Sequence, residues 1–75
     1  MSNTPAVSGK QAVKAFKSLG FVEKSTRGSH VNLKKDGHQF LLTVPVHGNS
    51  SLKQGTLNGL VKASGYTMEE FLEHI

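Results

Sequence analysis

From Ser8 onward the apolar residues Ala12, Val13, Ala15, Phe16 and Leu19 recur at helical spacing, with Lys10, Lys14 and Lys17 on other faces. Ser8 and Gln11 stand at the N-cap and N3 positions of a capping box, and Gly20 is placed to end the helix in a left-handed conformation. The pattern predicts a helix over residues 9–19. The period then changes from 3.6 to 2. Phe21 to Lys24 begins a strand and Ser25-Thr26-Arg27-Gly28 reads as a turn. Val31 and Leu33 alternate with His30, Asn32 and Lys34 in a second strand from Ser29 to Lys34. Asp36-Gly37 is a hairpin signal, and Gln39 to Val44 carries Phe40, Leu42 and Val44 on one face with Leu41 opposite. Pro45 cannot donate to a ladder and marks the strand's end.

Pro45 to Ser51 has the composition of a loop. Helical spacing returns from Leu52 to Ser64 through Leu57, Leu60 and Val61, ending at Gly65. Gly55 and Gly59 weaken this helix and are read as sites of close backbone approach to the sheet. Thr67-Met68-Glu69-Glu70 is a second capping box, opening a short helix that uses Met68, Phe71, Leu72 and Ile75. A helix, three strands, a helix and a short helix make an α+β two-layer sandwich, α-β-β-β-α with a short C-terminal helix. A meander with one apolar face must be covered by the helices. The topology is similar to that of double-stranded-RNA-binding domains, which by itself says little about function.

Seventy-five residues make one domain with a small core. Residues 1–7 are read as a flexible leader before a single domain over 8–75. There is no cysteine, so neither a disulfide nor a thiolate metal site contributes. No apolar run is long enough to cross a bilayer and the first residues lack the order of a signal peptide. These features lead to the expectation of a cytoplasmic protein with no membrane partner. Nine Lys and Arg stand against five Asp and Glu, and three of the acids, Glu69, Glu70 and Glu73, fall in the last seven residues. The body is therefore more basic than the whole, a balance that favours polyanions.

The candidate chemistry centres on Arg27-Gly28-Ser29-His30, where a glycine turn delivers a histidine to the polar face of a strand. An imidazole titrates near neutral pH, as acid–base work on a phosphodiester requires. Lys24, Arg27 and Lys34 are the nearest basic residues in sequence and Ser29 is adjacent, all candidates for holding RNA phosphates. The residues alone leave open a His30 that merely faces solvent. His47, in a glycine-flanked loop, suits either a second catalytic group or a loop hydrogen bond. His38 and His74 read as solvated. Asn49 to Thr56 leads into a helix with Ser50, Ser51 and Lys53, an anion site or an ordinary capped helix. No histidine pair has metal-ligand spacing, and neither metal nor cofactor is expected.

Three segments together carry a sharper resemblance. Ser8-Gly9-Lys10 opens the first helix, and Lys24 to His30 contains Gly28-Ser29-His30. Thr43-Val44-Pro45-Val46-His47-Gly48-Asn49 leads to Leu52-Lys53-Gln54-Gly55-Thr56-Leu57. From Ser8 on, the chain resembles the HicA family of small toxins of bacterial toxin–antitoxin pairs. The resemblance implies a double-stranded-RNA-binding-like fold and an endoribonuclease that cleaves mRNA and arrests translation. It also implies neutralisation by a HicB-type antitoxin covering the active face. The family's catalytic histidine lies in its Gly-Ser-His motif, which falls here on His30. One basic residue, Lys53, marks the second helix start where duplex-RNA binders carry a lysine cluster, so duplex binding of that kind is in doubt. Two other functions compete: a non-catalytic RNA-binding module, and an interaction protein whose sheet face docks another protein.

Overall fold

A computed structural model describes residues 5–38 and 41–75. Helix α1 (Gly9–Ser18) is followed by strands β1 (Val22–Arg27), β2 (His30–Lys34) and β3 (Leu42–Pro45), then helices α2 (Gln54–Ser64) and α3 (Met68–Leu72). The strands form one antiparallel sheet in the order β1-β2-β3. This is the expected α+β arrangement, compatible with the double-stranded-RNA-binding-like topology. The expected strand over Gln39 and Phe40 lies outside the described residues.

Alternation decides the two faces. Leu33, Leu42 and Val44 are buried, whereas His30 and Thr43 are exposed. The buried side meets Ala12, Ala15 and Phe16 of α1, Leu57 and Val61 of α2, and Phe71 of α3. Phe16 lies at the centre, with its ring 5.7 Å from that of Phe21 and 4.9 Å from that of Phe71. Each fully buried side chain of this size contributes about 1.5–3 kcal/mol. Among the described residues, no helix lies on the opposite face of the sheet.

Both expected capping boxes form. Ser8 Oγ accepts from the Gln11 backbone N–H, and the Gln11 side chain accepts from Ser8 N–H. Thr67 and Glu70 do the same for α3. Val7, read from the sequence as the end of a leader, is instead packed in the core, and its carbonyl accepts from Leu52 N–H at 2.7 Å. Gly9 touches the backbone of Pro45 and Val46 so closely that an added Cβ would overlap both. That is the close approach expected of Gly55 and Gly59, at whose Cβ positions nothing lies within 4 Å. Ile75, expected to pack, is 48% exposed.

The first hairpin differs from its expected form. β1 continues through Ser25, Thr26 and Arg27, leaving Gly28-Ser29 as the turn, with Gly28 at φ 57°. Every residue of β1 is exposed, so its sequence shows no alternation. It is held by its ladder with β2. The register runs Glu23↔Leu33, then Ser25↔Asn32, which leaves Lys24 as the extra residue of a β-bulge. The bulge absorbs one residue, and Ser25 and Arg27 face the same side as Asn32 and His30.

Candidate active site

The open face of the sheet is built from transverse rows of side chains. At one end stand Arg27, His30 and Pro45, since Arg27↔His30 and His30↔Pro45 are paired across the strands. Directly paired residues project to the same face. The next row is Ser25, Asn32 and Thr43, joined into a chain of hydrogen bonds. Asn32 Nδ2 donates to Ser25 Oγ at 2.9 Å, and Thr43 Oγ1 donates to Asn32 Oδ1 at 2.8 Å. This chain ties the three strands together one step behind His30.

His30 is exposed, as the alternation of Val31 and Leu33 requires. Its position depends on the tight turn at Gly28, whose positive φ suits glycine. Ser29 is half-buried in the same turn, and its carbonyl accepts from Val46 N–H at 2.6 Å. That bond clamps the chain leaving β3 against the turn that presents His30.

Beyond Pro45 an open depression of about 310 Å³ is lined by Pro45, His47, Ser51, Leu52, Lys53 and Thr56. Its loop is closed by Ser50 N–H donating to His47 O at 3.0 Å, by the bond from Leu52 to Val7, and by a bridge between Ser8 and Ser51. Helix α2 begins at Gln54, two residues later than the pattern of Leu52 suggested, and its N-cap Lys53 makes no side-chain capping bond. Ser50 and Ser51 lie in the loop, as the composition of Pro45 to Ser51 predicts, and neither is the cap of the helix. His47 is exposed and lines the depression.

The other expected phosphate-holding residues divide. Arg27 is level with His30. Lys24 is exposed at the bulge, further along β1. Lys34 sits at the opposite end of β2, level with Val22, and its amine donates to the His38 carbonyl at 2.6 Å. The sheet therefore separates Lys34 from His30 along the strand. Lys53 belongs to the depression. Pro45 was legible only as a strand stop; its place beside His30 follows from a register that the sequence does not display.

The remaining histidines are structural. His38 is half-buried rather than solvated: its Nε2–H donates to the Ala63 carbonyl at 2.7 Å, and its ring stands edge-on to Phe21 at 5.6 Å. His74 is half-buried as well, with Nδ1 3.0 Å from Ser18 Oγ. Nearby, Lys35 donates to the Leu19 carbonyl and to the Tyr66 hydroxyl, fastening the β2–β3 connection to the ends of α1 and α2. Among the described residues no three His, Asp or Glu side chains gather as metal ligands, and no helix is long and apolar enough to cross a membrane.

The family model described as the HicA toxin of bacterial toxin–antitoxin systems matches residues 9–66. The chain belongs to the HicA toxin family. No curated protein matches it. The matched span runs from the start of α1 past α2 and takes in the whole Arg27–His30–Pro45 row and the depression. This HicA toxin is thus the toxic member of a pair whose other member is an antitoxin. Helix α3 lies outside the match, although its Phe71 completes the core.

Proposed function

We propose that this HicA toxin is an endoribonuclease that cuts mRNA without a metal ion, using His30 for proton transfer, and that a HicB-type antitoxin neutralises it by covering the open sheet face. The observation that supports this reading most directly is the exposed imidazole of His30, level with Arg27 on a face that carries no helix among the described residues.

Cleavage within RNA needs the 2′-hydroxyl to lose its proton as its oxygen attacks phosphorus. The bond to the 5′-oxygen breaks, and that oxygen takes up a proton, leaving a 2′,3′-cyclic phosphate and a 5′-hydroxyl. His30 serves as the general base, the general acid or both. Arg27 supplies positive charge to the phosphate oxygens as charge builds there, with Lys24 and Lys53 holding neighbouring phosphates. Ser29 positions the turn and offers its hydroxyl to the RNA backbone. Lys34, committed to the His38 carbonyl, is better suited to holding the β2–β3 connection than to the cut.

Incubation of the purified chain with a long RNA in excess chelator tests the reading. The native chain is expected to cut, and His30→Ala to cut slower by about 10²–10⁴-fold while keeping its fold and its RNA binding. A His30→Ala chain that cuts as fast as the native one would overturn the assignment. Binding without cutting by both chains would make the protein an RNA-binding module instead.

A further inference from the structure

We infer that the depression beside His30 is a nucleobase subsite, taking one base of the RNA next to the cut bond and setting which nucleotide stands there. The inference rests on the nuclease reading above and goes beyond it by naming what selects the cutting position.

Position comes first. Pro45 forms part of the depression's wall and is also the cross-strand partner of His30. A group seated against Pro45 is therefore one strand spacing, roughly 5 Å, from the backbone of His30, so a base there and a bond at His30 can belong to adjacent nucleotides. Size comes second. About 310 Å³ lies at the small end of the range for ligand pockets, roughly 300–1,000 Å³. Its openness suits one unit of a polymer whose neighbours continue across the sheet.

Chemistry comes third. Pro45 and Leu52 offer apolar surface to the flat face of a base. The hydroxyls of Ser51 and Thr56 can donate to or accept from its edge. The His47 ring can stack or bond, and Lys53 stands at the rim for the attached phosphate. This mixture of apolar wall and a few polar groups is what base recognition outside a duplex uses. The wall is also held in shape before any ligand arrives. Bonds from Val46 to Ser29, Ser50 to His47 and Leu52 to Val7 fix its loop at three points. A preformed wall discriminates between bases because it does not reshape to suit each one.

Thr56 is the residue to change, since it is exposed on α2 and no core contact depends on it. Cut positions on one long RNA of defined sequence are mapped for the native chain, Thr56→Val and Thr56→Trp. Thr56→Val removes one hydroxyl at nearly constant shape. It is expected to weaken the base preference at a single position beside the cut by about fivefold, the weight of one neutral hydrogen bond, leaving other positions unchanged. Thr56→Trp fills the depression and is expected to slow cutting at the native positions by about tenfold or more. Native-like base preferences in both variants would overturn the inference alone, as would a native chain that cuts with no base preference at any position. A native chain that leaves RNA intact would overturn the nuclease reading and this inference with it.

Discussion

A methyl group added at Gly9 would overlap the Pro45 carbonyl oxygen and the Val46 Cα, two backbone groups that have no rotamer to escape into. The first turn of α1 and the end of β3 would have to part, at the point where the chain turns from His30's neighbour toward the depression. Gly59 is the opposite case, because a Cβ there meets nothing within 4 Å and its φ is not in the left-handed region. Gly9→Ala is expected to destabilise by about 1–3 kcal/mol, as overpacking does. Gly59→Ala is expected to stabilise by up to about 1 kcal/mol through helix propensity. Denaturant melts of the two variants would show shifts of opposite sign; equal shifts would contradict the packing described. Both glycines are visible in the sequence, yet composition cannot say which one is pressed against another backbone. His30 is different: its outward direction was legible because its apolar neighbours Val31 and Leu33 had to face the core.

At the scale of elements, legibility followed burial. Helix α1 and its ends could be read because Phe16 and Ala12 lie on one stripe and Ser8 with Gln11 closes the first turn. β1 could not be read to its end. An edge strand exposed on both faces needs no alternation, so Ser25-Thr26-Arg27 looks like a turn until its partner strand is known. The second capping box permits a test on α3, five residues long and packed through Phe71. The Thr67 backbone N–H, and after it the Thr67 side chain, hold the Glu70 carboxyl below its ordinary pKa. Glu23 is shifted the same way, first by its bond with Lys17 and then by Thr26. A carboxyl lowered by folding adds stability above its unfolded pKa, and that stability is lost as pH falls through the lowered value. Thr67→Ala is expected to cost about 1 kcal/mol at neutral pH. Glu70→Gln is expected to flatten the acid side of the stability curve. Melts at a series of pH values check both; an acid limb in Glu70→Gln as steep as the native one would show that the Glu70 charge contributes nothing.

For the molecule as a whole, the helices occupy one side of the sheet and, among the described residues, leave the other side open. The layer order was legible from the sequence of periods, 3.6, then 2, then 3.6. The site was legible only in part, since Arg27 and Pro45 reach His30 through strand pairing and the depression's loop is closed by a bond from Leu52 to Val7, 45 residues earlier. If Arg27, Lys24 and Lys53 hold three phosphates, RNA binding by the uncleaving His30→Ala chain falls with salt. The expected slope of log affinity against log salt is roughly −2, from about 0.7 per contact on a single strand. A titration showing affinity independent of salt would place the bound RNA elsewhere.

The irregularity at Lys24 has a consequence for length changes. Because Glu23 and Ser25 already face consecutive residues of the neighbouring strand, Lys24 is a spare link. Excising it would leave a plain ladder with every partner unchanged, and Arg27 would still stand abreast of the histidine. The same excision between Ser25 and His30 would throw the guanidinium out of rank. Loss of that one codon therefore keeps the His30 end of the sheet in rank, and its cost falls on the lysine's charge alone.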